Sequence, residues 1–352
     1  MVHTECLPNR PVSAVVPPIP RADAAAAVGV CAVGRLHLGF LDPSGTLGRR
    51  FGSIGLVIDG FQAEVVISSA ARDEWQADSS AALAQLERAI VCVQRLREQC
   101  GRHAPLTLRL RSVLPAHAGL GSGTQLALAV GRAFARWQGL ELPTPKLAAW
   151  LGRGQRSGIG IAGFDLGGLL VDGGPGRDGA PAPLLARLEL PAEWRIVVVL
   201  DERLQGLSGA REVKAIAALP ALRLAQAAEL CHQVLMRVLP GAASDEFESF
   251  AAGINRVQEV LGAHFAPAQG GSAWTSASVG RLLQWVRRHA GDRAAVGQSS
   301  WGPTGFAIVP SAASAQRLLD DARAAGVIDP ALVLRTVAAR NRGASVSVGA
   351  AR

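Results

Sequence analysis

Residues 114–125, LPAHAGLGSGTQ, set three glycines two residues apart between a strand-like stretch ending in Pro115 and a stretch of helical spacing. Gly119, Gly121 and Gly123 allow a tight turn and let backbone approach a ligand with no Cβ in the way. Ser122, Thr124 and the unpaired amides of the first helical turn then point at one space, where an anion meets N–H donors and the positive end of a helix dipole. The run Gly119, Leu120, Gly121, Ser122, Gly123, Thr124 and Gln125 is therefore a candidate phosphate cradle, set against a glycine-rich turn that binds nothing. It is not a Walker loop, because no Lys follows the glycines. A Rossmann reading lacks the acidic residue at the end of a following strand.

Other residues extend this chemistry. Arg153, Arg156 and Ser157 lie in a polar, glycine-rich connection after the cradle helix, where guanidinium forks suit bidentate phosphate contacts and a solvated turn is the other reading. Arg35 and His37 alternate along an early strand and face one side, with Asp42 just beyond, so a carboxylate or a 5'-phosphate is a fitting partner. His117 sits inside the cradle and titrates near neutrality, as a catalyst or as a structural hydrogen-bonding group. Gly302 and Gly305, in GQSSWGPTGF, let a further loop close on the cradle, and Trp301 either stacks on an aromatic ligand or plugs the core.

The elements that must position these residues follow from punctuation and periodicity. Residues 28–40 read as a strand, 53–68 as a strand pair meeting at Asp59-Gly60, 79–99 as a helix, 106–113 as a strand and 124–137 as the cradle helix. A short helix over 144–151 carries Pro145 in its first turn, and 167–171 is a strand followed by a Gly- and Pro-rich loop over 173–183. Residues 194–200 (WRIVVVL) read as a buried strand opening a second lobe of helices 210–239, 244–261, 276–289 and 312–325 with strands 306–309 and 331–338. The chain thus divides into a Pro- and Ala-rich arm over 1–27, expected to be disordered, a phosphate-binding domain over 28–190 and an α+β domain over 191–352.

Composition bounds the function. The 352 residues are 49% hydrophobic, ample for two cores sharing a cleft. A net charge of +8 invites a nucleic-acid reading, but Arg is scattered, Tyr is absent, and Lys146 and Lys214 are the only lysines among 36 basic residues. Five cysteines without a C-x-x-C pair read as reduced thiols of a cytoplasmic protein, and no zinc site is indicated. No run of 18 apolar residues spans a membrane.

PAHAGLGSGTQ resembles the second motif of the GHMP kinase superfamily, P-x-x-x-G-L-G-S-S-A. VGRLHLGFLD (33–42) resembles its substrate-side motif and GQSSWGPTGF (297–306) its C-terminal glycine-rich motif. The resemblance implies a two-lobed α+β fold: an N-terminal lobe like ribosomal protein S5 domain 2 and a ferredoxin-like C-terminal lobe. The departures carry more information. Gly160 stands where the kinases have a catalytic Asp, and no carboxylate lies between Glu141 and Asp165, so a phosphoryl-transfer site lacks its usual carboxylates. GLGSGTQ, GRLHLGFLD and RSGIGIAGFDLGGLLVDGG (156–174) are similar to one branch, the β-ribofuranosylaminobenzene 5'-phosphate synthases of methanopterin biosynthesis. That branch implies a condensation of phosphoribosyl pyrophosphate with 4-hydroxybenzoate or 4-aminobenzoate, losing pyrophosphate and CO2, with Mg²⁺ as cofactor and neither nucleic acid nor membrane as partner. Asp165, the first carboxylate after Gly160, is a candidate metal ligand or stabiliser of positive charge, set against an Asx-type turn, with Ser122 as a further metal ligand and His117 as a catalytic candidate; the resemblance adds a possible homodimer. An ATP-dependent small-molecule kinase and a non-catalytic phosphate-binding protein stay open beside it.

Overall fold

The computed structural model describes residues 26–176, 179–207 and 209–350. The arm expected over 1–27 lies outside the described residues except for Ala26 and Ala27, which open the first strand. That strand, β1 (Ala26–Asp42), pairs antiparallel with β2 (Phe51–Ser69), and the register slips at Val33/Arg35 and at His37/Gly39. The hairpin expected at Asp59-Gly60 is corrected. β1 offers partners to both halves of β2, so the chain bulges instead of reversing: Gly60 takes φ 79° and Ile58 bridges to Ala339.

The first lobe continues through β3 (Glu74–Ala77), α1 (Ser80–Cys100), β4 (Leu106–Ser112), α2 (Ser122–Trp137), α3 (Thr144–Trp150), α4 (Ile159–Leu166), β5 (Leu169–Asp172) and β6 (Leu184–Leu188). The second lobe holds β7 (Arg195–Leu200), α5 (Gly209–Ala218) and α6 (Leu224–Gln233). A π-helical turn (Val234–Val238) leads on to α7 (Leu239–Ala243), α8 (Phe247–Phe265), α9 (Ala277–Ala290), β8 (Ala295–Gln298), β9 (Thr304–Val309), α10 (Ala312–Ala324) and β10 (Val333–Ala338). Its four strands are ordered β10-β7-β9-β8, all antiparallel, the order of a ferredoxin-like sheet. The last strand, β11 (Ser345–Ala350), returns to pair with β1, giving a seven-stranded sheet ordered β11-β1-β2-β4-β3 with β5 and β6 on the other half of β2. The expectation that residues 191–352 form one lobe is therefore corrected for this segment.

Three layers of core explain why the sheets stack. Val28, Val30, Val65, Ile67 and Leu108 face α1, α2 and α3. Leu36, Leu38, Ile54 and Leu56, further along the same strands, pack instead with Ile196, Val198 and Leu200 of β7 and Phe250 of α8. Val197 and Val199, on the alternate face of β7, meet Val279, Leu282 and Leu283 of α9 and Leu318 of α10. Both faces of β7 are covered, which is why its sequence is continuously apolar.

α4 is short and poor in helix propensity, with Gly160 and Gly163 inside it, yet tertiary contacts hold it. Its entry is fixed by Asp172, whose Oδ2 accepts from the Ser53 hydroxyl (2.8 Å), the Ser157 hydroxyl (3.1 Å) and the Gly158 amide (2.8 Å). Its Oδ1 accepts from the Gly174 amide at 2.8 Å. Burial raises the Asp172 pKa while these four donors pull it down. Asp172 is thus a structural hub that seats Ser157 and Gly158 beside the cradle. Asp172→Ala leaves buried donors without an acceptor and is expected to cost about 3 kcal/mol of stability. Chemical denaturation checks this, and an unchanged midpoint contradicts it.

Candidate active site

The connection between β4 and α2 is shaped by backbone geometry. His117, Gly119 and Gly121 take φ of 56°, 88° and 79°, so the chain folds back on itself and α2 begins at Ser122 with Gly121 as its left-handed N-cap. No side chain caps this helix and no acidic residue lies in its first turn, which leaves its N-terminal amides open to an anion.

Ser299 ties three segments together at this turn. Its hydroxyl donates to the Gly119 carbonyl at 2.7 Å and accepts from the His37 amide at 2.9 Å, and the Ser300 amide donates to the His37 carbonyl at 3.1 Å. Arg35 approaches the same carbonyl, with Nη1 2.7 Å from Gly119 O, while its own amide donates to Leu120 O at 3.1 Å. The approach of the two lobes is close enough to require glycine. A Cβ on Gly119 would strike Ser299 O, and one on Gly302 would strike the Ala118 carbonyl and the Gly119 amide.

These contacts enclose a cleft of about 770 Å³ lined by both guanidinium groups and rings. Arg35, Arg50, Arg88, Arg153 and Arg156 line it against one carboxylate, Glu212, among the described residues. Arg156 Nη2 donates to Glu212 Oε2 at 2.9 Å. Arg35 Nε, Arg153 Nε, Arg156 Nη1 and His37 Nε2 are buried without a protein partner, an excess of unsatisfied nitrogen that calls for a ligand. Burial pushes Arg35 down to about 10, although Glu212 opposes the shift. Burial, then the charges of Arg35 and Arg156, hold His37 well below the ordinary histidine range. The Glu212 carboxyl is raised by burial and lowered by Arg156. Phe40, Phe51, Ile216 and Trp301 form an apolar cluster in its wall, with the His37 ring 4.6 Å from Phe40 and the Arg50 guanidinium 4.9 Å over Phe51.

Of the residues singled out from the sequence, Arg35, His37, His117, Gly119, Gly121, Ser122, Gly123, Thr124, Arg153, Arg156, Ser157 and Gly302 line this one cleft. Leu120 is fully buried in the core between the lobes. Gln125 is buried and donates to the Gly160 carbonyl at 2.9 Å, holding α4 against α2. Gly305 lies in β9, where a Cβ would strike Leu283, so its role is packing. Asp165 is not brought to the cleft. It accepts from Thr144 Oγ1 at 2.6 Å, near Arg132, which fixes it between α4 and α3. Asp42 organises its own loop, accepting from Ser44, Gly45, Thr46 and Leu47. Trp301 packs on Phe265 at 4.7 Å and also forms cleft wall. Arg50, Arg88, Glu212, Phe40 and Phe51 were not anticipated. Ser299 stood unremarked inside a quoted motif.

The site and fold define a class before they define a reaction. Residues 87–168 match the GHMP kinases N terminal domain and residues 248–328 the GHMP kinases C terminal domain. Among solved structures, the phosphomevalonate kinase of Streptococcus pneumoniae superposes with a TM-score of 0.65 at 14% identity, covering 89% of this chain and 99% of that one. The homoserine kinase of Cytophaga hutchinsonii does so with 0.63 at 16%, covering 91% and 97%. These likenesses show the fold. A β-ribofuranosylphenol 5'-phosphate synthase of Archaeoglobus fulgidus is 33% identical over 329 residues, 89% of this chain and 97% of that protein. A second, from Methanothermobacter thermautotrophicus, is 32% identical over 64% of this chain and 73% of that protein. The chain belongs to this synthase family, a branch of the GHMP kinase superfamily, and is an enzyme.

His37 makes a pH dependence. Its folded pKa lies below its unfolded value near 6.5, so the unfolded chain binds the extra proton as pH falls beneath about 6.5, and stability is lost in that direction. His37→Gln is expected to flatten the fall in thermal midpoint between pH 7 and 5.5. A variant whose midpoint falls as steeply as the wild type's contradicts a buried neutral imidazole.

Proposed function

We propose that the enzyme joins phosphoribosyl pyrophosphate to 4-hydroxybenzoate, or to its 4-amino counterpart, releasing pyrophosphate and CO2 and forming a β-ribofuranosyl arene 5'-phosphate. The observation that carries this reading is one cleft that combines five guanidinium groups and a bare helix N-terminus with the rings of Phe40, Phe51 and Trp301. The relatives' name, a ribofuranosylphenol 5'-phosphate, supports the hydroxy acid as arene. The reading also supports a place in methanopterin-type coenzyme synthesis and one-carbon metabolism, in the cytoplasm.

The bond changes balance without a base. The C1–O bond of the sugar breaks and its electron pair leaves with pyrophosphate, where Arg35, Arg156 and the Ser122 hydroxyl take up the charge. The ring carbon bearing the carboxylate bonds to C1, pushed by the para oxygen or nitrogen. The ring–carboxylate bond then breaks, CO2 departs, and its electron pair restores aromaticity. Arg50, over Phe51, is placed to hold the arene carboxylate before that step. His117 lines the cradle beside the departing group. Leu207 and Ile216 cover the aromatic end and keep water from a cationic C1.

Magnesium fits through the substrate. Among the described residues no three His, Cys, Asp or Glu side chains converge on a metal site, and Asp165 is engaged with Thr144. Glu212 and the Ser122 hydroxyl, both lining the cleft, would hold Mg²⁺ together with pyrophosphate oxygens, and the ion would supply charge neutralisation to the leaving group. The kinase reading lacks its carboxylate: Gly160 lines the cleft in that place, and a Cβ there would press on Thr124 Cγ2 at 3.0 Å.

The test is stoichiometric. With Mg²⁺, phosphoribosyl pyrophosphate and carboxyl-labelled 4-hydroxybenzoate, and without ATP, the enzyme is expected to release labelled CO2 and pyrophosphate in equal amounts. Pyrophosphate without CO2 means hydrolysis of the donor and contradicts the proposal. ADP formed from ATP and a hydroxylated acceptor restores the kinase reading.

A further inference from the structure

The cations around the glycine-rich turn meet it at two glycines: a Cβ on Gly121 would stand 3.3 Å from Arg35 Cζ, whereas Gly123 faces Arg88 and Arg153. Arg35, His37, Arg156 and Glu212 are electrostatic neighbours on the aromatic side. Arg88 of α1, Arg95 of α1 and Arg153, three residues past α3, are neighbours on the other. The second group meets the cradle at Gly123. A Cβ there would stand 2.9 Å from Arg88 Nη2 and 3.6 Å from Arg153 Nη1, so the missing side chain opens the helix N-terminus to both guanidinium groups.

This group lacks a counter-charge. Arg88 donates to the neutral Gln85 at 2.8 Å, Arg95 to the Leu151 carbonyl at 3.5 Å, and Arg153 Nε is buried with no partner. Cys92 stands between them with its thiol raised by burial and therefore neutral. Among the described residues no carboxylate forms an ion pair with any of the three. Like charges gathered at a partly buried site without an anion repel one another, and an anion reverses the sign of that contribution.

We propose that Arg88, Arg153 and the α2 N-terminus at Gly123 form a second anion subsite that takes a phosphate monoester, the 5'-phosphate of the sugar donor. The assignment rests on the transferase reading. The carbon that forms the new bond must lie against the aromatic wall, so the pyrophosphate it carries belongs with Arg35 and Arg156 on that side. The monoester, at the far end of the sugar, then reaches Arg88 and Arg153. Both ends lie in one continuous cleft.

The two subsites are separable with two small probes, ribose 5-phosphate and inorganic pyrophosphate, titrated calorimetrically into wild-type, Arg88→Gln and Arg156→Gln protein. Arg88→Gln is expected to weaken ribose 5-phosphate by about 10- to 150-fold, the weight of one charge-assisted contact, and pyrophosphate by less than about threefold. Arg156→Gln is expected to do the reverse, which excludes a general loss of fold as the cause. Arg88→Lys should restore part of the ribose 5-phosphate affinity. Equal losses of both probes in Arg88→Gln, or no loss of either, overturn the second subsite. Wild-type protein that binds pyrophosphate but not ribose 5-phosphate overturns the subsite and leaves the transferase reading standing, whereas protein that binds neither removes both.

Discussion

The hydroxyl of Ser299 is the joint on which the site depends. It is fully buried, donates to Gly119 at the heart of the glycine-rich turn and accepts from the His37 amide on β1, so one oxygen fixes the loop after β8, the cradle and the first strand. Arg35 and the start of α2 are placed by these three segments. Arg35 is two residues before His37 and bonds to the same Gly119 carbonyl, while Ser122 follows Gly121 directly into α2. The bare contacts of Gly119 and Gly302 are the steric cost of bringing two lobes this close. Larger residues at either position would separate the lobes and open the cleft to water.

The second constraint is charge. Among the described residues, five guanidinium groups converge on a cleft that holds one carboxylate, and several of their nitrogens are buried without partners. Such an arrangement costs stability in the free enzyme, since burial already depresses Arg35 and Arg153. The kinases that share this fold use carboxylates to orient a hydroxyl and hold a metal. Here Gly160 stands in that place, and the rings of Phe40, Phe51 and Trp301 form part of the cleft wall.

Much of this was legible in the sequence, and what was not has physical causes. The cradle is local: glycine spacing, a strand and a helix lie within one short stretch, so its geometry follows from backbone preferences. Arg35 and His37 share a face because strands alternate. The Gly302 loop needed the family resemblance. Arg88 is one of many charges on an amphipathic helix, and nothing in α1 distinguishes it before Gly123 is seen beneath it. Glu212 lies in a helix of the other lobe and is joined to the site by its ion pair with Arg156. Asp165 shows the opposite failure. Its position after the lost kinase carboxylate suggested catalysis, but Thr144 and Arg132 engage it, and sequence does not reveal a partner twenty residues away. Gly60 read as a turn because Asp-Gly favours one, whereas the long partner strand β1 made it a bulge. The return of β11 to the first sheet is a non-local pairing of the kind that periodicity does not register.

The central claim is that this cleft makes a carbon–carbon bond between a phosphorylated sugar and an arene. The most direct measurement is the ¹³C NMR spectrum of the product formed from phosphoribosyl pyrophosphate labelled at C1 and 4-hydroxybenzoate labelled at the ring carbon that carries the carboxylate. The account predicts a one-bond coupling between the two labels in a product that has lost its carboxylate. A product that keeps the carboxylate and shows no such coupling, with the sugar linked through the phenolic oxygen or released as ribose 5-phosphate, would contradict it.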